Sequence, residues 1–89
     1  MDVKTVVQKW VRDIPYSNNE EEQIDLFFKA FETQSASLWD CFALENDYFI
    51  QVKFRNIMKE YLIKLVYQEV INIPNKKFWV VKEVVERKG

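Results

Sequence analysis

The first stretch of the chain repeats its apolar residues at the spacing of one helix face. The positions concerned are Val3, Val6, Val7, Trp10, Val11 and Ile14. Polar residues fill the positions between them, as on the wet side of an amphipathic helix. Pro15 ends the pattern, because the residue before a proline is biased away from helical backbone. The spacing therefore predicts a helix that runs to about Ile14.

A second helix is predicted to begin at Asn18. Its side chain can cap the backbone N–H of Glu21, and acidic residues crowd the first turn, where the helix dipole favours negative charge. Four apolar residues then follow at helical spacing: Ile24, Phe27, Phe28 and Phe31. The polar run 33–35 interrupts this pattern. We therefore expect one long helix to about Thr33, and after it a short helical turn or a strand begun by Ser37.

The remainder of the chain favours strands. Residues 48–55 alternate between apolar and polar side chains, which is typical of a strand with one wet face. Residues 57–73 fit a strand better than a helix, because a helix would place Glu69 in the centre of its apolar face. A turn is predicted at Pro74-Asn75, and residues 78–87 suit either a strand or a helix.

Together these elements predict one α+β domain over residues 1–89. Two N-terminal helices pack on a small antiparallel β-meander of three or four strands, and the C-terminal segment is either the last strand or a helix. No apolar run is long enough to cross a bilayer, and the first residues lack the pattern of a signal peptide. We therefore expect a cytoplasmic protein that does not bind membranes.

Composition narrows the chemistry available to this chain. It has no histidine, one cysteine (Cys41) and one glycine, the C-terminal Gly89. Histidine is the usual general base near neutral pH and a frequent metal ligand, and phosphate-binding loops require internal glycines. These absences exclude structural zinc sites, phosphate loops and the common nucleophile–base pairs. We expect a protein that is not an enzyme and that uses no cofactor or metal.

The two halves of the chain differ in charge. Residues 1–47 hold four basic and ten acidic side chains, a net charge of −6, whereas residues 48–89 hold nine and four, a net charge of +5. One interpretation is that the two sets solvate two surfaces and attract each other across the fold. The alternative is that one of the charged faces binds a partner.

We expect the acidic helical face to be the binding surface, because the chain as a whole is not basic and its pI is near 5.4. Such a face would dock on a basic protein surface, as an inhibitor or adaptor does. Small size and polarised charge are also typical of inhibitors encoded by phages or mobile elements. The exposed edges of a meander also allow a homodimer. The predicted binding residues are Glu20, Glu21, Glu22, Asp25 and Glu32.

Two other hypotheses rely wholly or partly on the C-terminal half. A nucleic-acid-binding module would contact phosphates through basic side chains and stack bases on an exposed aromatic such as Phe49 or Trp79. Its basic residues would be Lys53, Arg55, Lys64, Lys76 and Lys77. A Mg²⁺-dependent nuclease would use Asp40, Gln51 and Lys53, which resemble a relaxed form of the D…(D/E)xK pattern. In that pattern the second position is normally an acid, and glutamine supplies only a neutral ligand.

Overall fold

In a computed structural model of the chain, two helices precede a four-stranded antiparallel sheet. The structure describes residues 2–45, 47–55, 59–70 and 73–87. The strands lie side by side in the order β1-β2-β3-β4, each paired with the next along the chain. This architecture confirms the predicted α+β class and the meander. The elements are α1 (Val3–Val11), α2 (Glu20–Thr33), β1 (Ala36–Leu44), β2 (Asp47–Phe54), β3 (Glu60–Val70) and β4 (Ile73–Arg87).

In the C-terminal half, every described residue except Arg55 and Lys59 lies in a strand. β3 pairs with β4 from Glu60 opposite Arg87 to Val70 opposite Ile73. The helical alternative for 78–87 is therefore wrong, because every residue of that segment except Lys82, which lies at a register shift, is paired with a residue of β3. The strand interpretation of 57–73 is confirmed over β3, while positions 57, 58, 71 and 72 lie outside the described residues.

The turn predicted at Pro74-Asn75 is also wrong, because β4 already begins at Ile73. Residues 74–76 instead fall where the register between β3 and β4 shifts, and Asn75 has a φ of 68°. Asparagine tolerates this left-handed conformation better than most residues. Asn75, a residue type typical of tight turns, therefore marks an irregularity within β4.

The first helix is held at its start by Asp2. The Asp2 carboxylate accepts the backbone N–H of Lys4 at 3.2 Å and the hydroxyl of Thr5 at 2.7 Å. Val7 and Val11 from the predicted apolar stripe are fully buried. Amphipathic spacing and a capped N-terminus together account for this helix.

The second helix begins one residue later than predicted. Asn19, not Asn18, is its N-cap, and the Asn19 side chain accepts the N–H of Glu22 at 3.1 Å. Phe27 and Phe31 are fully buried, but Phe28 is 40% exposed. The buried stripe of α2 therefore does not include all four of the apolar residues that the sequence pattern placed on it.

The second helix ends as the sequence indicated, at Thr33. Gln34 follows as its C-cap, and the Ser35 N–H bonds the Glu32 carbonyl at 3.1 Å. Ser35 has a φ of 60°, a conformation that many helices reach with glycine just past their end. The next residues form β1, which settles the choice that the sequence left open there.

The core lies between the helices and one face of the sheet, with α2 over β1 and α1 over β4. Its centre is Trp79, a fully buried side chain. The Phe27 and Tyr48 rings meet Trp79 edge to face, with ring centroids 5.0 and 5.3 Å from it. Aromatic pairs of this geometry contribute beyond the area they bury, so a few large side chains stabilise a small core.

Two glutamines tie the helices to their surroundings. The Gln8 amide in α1 donates to the carbonyl of Trp79 at 2.8 Å and accepts the N–H of Val81 at 2.9 Å, as a neighbouring strand would. Gln23 in α2 is fully buried; it accepts the N–H of Ser17 at 2.7 Å and donates to the carbonyl of Pro15 at 3.1 Å. Gln8 thereby covers part of the outer edge of β4, and Gln23 holds the connection between the helices.

Within the described residues, neither helix has the length and apolar character that crossing a bilayer requires. The helices cover one face of the sheet. The opposite face, which we call the open face, has no element of the described residues packed on it.

Candidate functional site

The predicted acidic residues all belong to α2, and all of them are exposed. Glu20, Glu21 and Glu22 form its first turn, while Asp25 and Glu32 lie further along. Glu21, Asp25, Phe28 and Glu32 follow one another at intervals of four, three and four residues. This spacing places the four side chains in one stripe along the helix. The α2 surface is thus an acidic stripe with an exposed aromatic ring within it.

The acids of α2 form no ion pair within the described residues, and Lys29 is the one basic residue of the helix. The ion pairs of the described residues are Lys59 with Glu86, at 3.4 Å, and Lys64 with Asp47, at 3.2 Å. Both lie on the sheet, and neither includes an acid of α2. Within the described residues, no direct ion pair joins an α2 acid to the basic half of the chain, although Glu32 and Arg55 line one hollow.

A hollow of about 210 Å³ lies beside this stripe. Phe28 and Glu32 line it from α2, and Arg55 lines it from the end of β2. Part of its wall comes from the start of β1, where Ala36 and Leu38 are buried. The hollow gives the exposed Phe28 ring an apolar neighbourhood at the junction of helix and sheet.

The structure divides the predicted basic set instead of bringing it together. Lys53 lies opposite Glu60 at one end of β3, whereas Lys77 lies opposite Glu69 near the other end. Nine residues of extended chain between these two positions span roughly 30 Å. Lys64 lies between them on the open face and is paired with Asp47. The basic side chains are therefore interleaved with acids and do not form one patch.

The two aromatic side chains predicted to stack on bases differ in exposure. Trp79 is fully buried, so its assignment as an exposed platform is wrong. A buried ring at the centre of the core has no face left for a base. Phe49 lies on the open face, where it is stacked on Phe42 with a centroid distance of 5.6 Å and the Lys64 amine lies 5.7 Å from its ring.

The residues of the nuclease hypothesis do share one face. Asp40 and Gln51 are directly opposite each other in the β1–β2 register, and Lys53 is two positions along the same strand. The Asp40 carboxylate accepts the N–H of Cys41 at 2.9 Å. No group of three or more His, Cys, Asp or Glu side chains that could hold a metal occurs in the described ranges. The three residues thus stand on an open sheet surface with one carboxylate among them.

The thiol of Cys41 is shifted away from reactivity. Burial, with smaller contributions from the Asp40 and Glu20 carboxylates, raises the pKa of Cys41 to about 12. A thiol attacks as its thiolate, so this shift lowers the reactivity of Cys41 at neutral pH. Burial also raises the pKa of the Tyr48 phenol, and Glu20 adds to this effect. Tyr48 belongs to the core, and Cys41 is partly buried against it.

The difference in charge between the two halves of the chain makes α2 acidic but does not make the sheet uniformly basic. Asp40 and Asp47, which belong to the acidic half of the sequence, lie on β1 and β2. The basic residues Lys4, Lys9 and Arg12 lie on or directly after α1. Charge is therefore concentrated on one helix and mixed elsewhere.

The open face carries an apolar surface that the sequence analysis did not single out. Leu44 is 55% exposed, Phe42 42% and Val85 43%, and Trp39, which is unpaired at the register shift of β1 just before Asp40, is also 55% exposed. Phe49 and Leu62 lie between Phe42 and Val85 on β2 and β3 and are partly exposed. We call these six residues the apolar band. Their alternation with buried residues is a usable signal in β2, but the segment of β1 fits either a short helical turn or a strand from its sequence.

Comparison with protein-family models, with curated proteins and with solved structures found no significant match to this chain. Its function must therefore be inferred from the α2 surface, the open face and the chemistry of their side chains.

Proposed function

We propose that this protein is a non-catalytic interaction protein that docks its α2 surface on a basic surface of a partner protein. The observation that carries the proposal is a stripe of exposed acids without ion-pair partners in the described structure, with the exposed Phe28 within it. By occupying such a surface, the protein would act as an inhibitor or an adaptor.

Electrostatics gives this surface a specific role. Complementary charge accelerates encounter and suppresses wrong partners more than it adds affinity. Affinity usually depends on a few well-packed anchor residues, and aromatic side chains are frequent among them. Phe28 is suited to be that anchor, because Asp25 and Glu32 lie on either side of it in the stripe and Ala36 and Leu38 give the hollow beside it an apolar wall. The acids would orient a basic partner, and the ring would hold it.

Nucleic acid suits the molecule less well than protein. The α2 acids repel phosphate, and the lysines of the sheet stand among Asp47, Glu60 and Glu69. A phosphate backbone that reached Lys64 would have to displace an existing ion pair. A basic protein surface that docks on α2 would meet the acids there and would not need to displace an ion pair of the sheet.

The test is affinity capture from a cell extract with three purified, immobilised proteins. They are the wild type, an α2 variant and a control variant. The α2 variant combines Glu21→Lys, Asp25→Lys and Glu32→Lys. The control variant makes the same change of charge elsewhere, with Asp13→Lys, Glu45→Lys and Glu69→Lys.

The proposal predicts a protein that is retained by the wild type and the control but lost by the α2 variant. A Phe28→Ala variant should weaken binding of that protein roughly tenfold or more, as expected of an interface anchor. Retention that is equal on all three supports would refute the proposal. Retention of single-stranded nucleic acid, lost as salt rises, would favour the rival hypothesis instead.

A further inference from the structure

The apolar band stretches across all four strands of the open face. Phe42 on β1 stacks on Phe49 on β2, and Leu62 on β3 lies directly opposite Val85 on β4. A shallow depression joins Phe49, Leu62 and Val85 into one surface. Four of the six large apolar side chains that are notably exposed in the described residues belong to this band. A contiguous surface of this kind marks a contact site more often than scattered apolar residues do.

The charges around the apolar band compensate one another. Lys64 pairs with Asp47 at 3.2 Å and lies opposite Glu83 in register. Lys53 lies opposite Glu60 on the neighbouring strand. Opposite charges placed across strands stabilise the sheet and reduce the field of the face. The open face is therefore close to neutral, in contrast to the α2 surface on the other side of the molecule.

A neutral face with an apolar band is suited to a copy of itself. Two such faces related by a two-fold axis bring band against band, and no excess of like charge opposes the approach. A partner selected by charge would find little to recognise here. The acidic α2 helices would lie on the two outer sides of the pair, where their repulsion is weakest.

The area of the face agrees with a modest dimer. Four strands spaced about 4.8 Å apart, with roughly eight residues each at 3.3 Å, give a face of about 500 Å². Two faces in contact would bury about 1,000 Å², which is near the lower limit for a specific interface. Such an interface supports association in roughly the micromolar range.

We infer that the open face is a self-association surface through which two copies of the chain pack sheet against sheet. The inference is independent of the proposed function, because it concerns the opposite face of the domain. If both hold, the dimer presents two α2 surfaces that point away from each other, and a partner with two basic sites would bind it with increased avidity.

Sedimentation equilibrium over roughly 1 µM to 1 mM tests the inference, since this range brackets the expected constant. The weight-average mass should rise from 10.8 kDa towards twice that value. The fluorescence of Trp39 should shift to shorter wavelength over the same range, because the exposed ring becomes buried. Salt should change the association little, whereas binding through α2 should be salt-sensitive.

Two separate variants, Phe42→Lys and Val85→Lys, should each weaken association roughly tenfold or more by placing a charge in the contact. Phe28→Lys is the matched control: Phe28 is 40% exposed and Phe42 42%, but Phe28 lies on α2. Circular dichroism and cooperative thermal unfolding establish that each variant is folded. If one of the two band variants does not fold, the other is enough for the test. A wild type that stays monomeric throughout, or band variants that associate as the wild type does, would overturn the inference.

Discussion

Replacing Gln23 with methionine should destabilise the domain strongly, although the substitution removes no charge and almost no volume. The Gln23 amide accepts the Ser17 N–H and donates to the Pro15 carbonyl, at 2.7 and 3.1 Å. Methionine keeps the length of the side chain but leaves both backbone groups without a partner. Each orphaned group costs about 1–3 kcal/mol, and both are only partly shielded from water, so the low end applies. We expect a loss of about 2–3 kcal/mol.

That loss is large for a domain of this size, whose total stability is expected to be about 5–13 kcal/mol. Urea unfolding followed by tryptophan fluorescence measures it, and the slope of the transition should not change. Gln34→Met is the control, because Gln34 is exposed at the end of α2. A loss below about 0.5 kcal/mol, the range of ordinary surface changes, would refute the role of the buried amide.

A Gln23→Glu variant adds a pH test with a definite sign. Burial would raise the pKa of the new carboxyl above its ordinary value of about 4.3. Below about pH 4 the protonated acid can still donate to the Pro15 carbonyl, and stability should approach that of the wild type. As the pH rises through the folded-state pKa, the variant should lose stability relative to the wild type. A difference between the two proteins that stays constant from about pH 3 to 8 would contradict this reasoning.

Two further predictions concern α2 and β1. Asn19→Ala should cost about 1 kcal/mol and lower the melting temperature by roughly 4–8 °C, because it removes the cap on the Glu22 N–H. The neighbouring Asn18→Ala should change stability little. Equal effects of the two variants in thermal unfolding would contradict the assignment of Asn19 as the cap. Cys41, whose pKa is raised to about 12, should react slowly with iodoacetamide at about pH 8 and rapidly in urea. Mass spectrometry follows the reaction, and equal rates in both conditions would show that the thiol is not shielded. The same shift implies a loss of stability above about pH 9, as the unfolded thiol begins to ionise.

Local patterns in the sequence determined most of the secondary structure. The helix period predicted α1 and α2, the alternation at 48–55 predicted β2, and the polar run 33–35 marked the end of α2. These predictions succeeded because hydrophobic period and helix-end preferences act over a few neighbouring residues. The absence of histidine and internal glycine likewise restricts the chemistry available to the chain.

Tertiary pairing decided what local patterns left open. Residues 78–87 suited helix and strand equally, and they became β4 because β3 supplied hydrogen-bond partners along their length. Trp79 was named as an exposed platform, yet it is the centre of the core because the rings of Phe27 and Tyr48 converge on it. Such choices depend on residues far apart in the chain, which a local pattern does not contain.

The same distinction separates the α2 surface, which local patterns predicted, from the open face, which depends on the tertiary structure. The exposure of the α2 acids followed from the helix start and the amphipathic pattern, so these residues could be named from the sequence. The apolar band could not, because its members come from four strands and become neighbours only through the sheet register. A one-residue shift in the register of a strand would move that strand's residues of the apolar band to the core face of the sheet. The sequence by itself therefore determined the helices and their charge, and only the assembled sheet decided which apolar residues remain exposed.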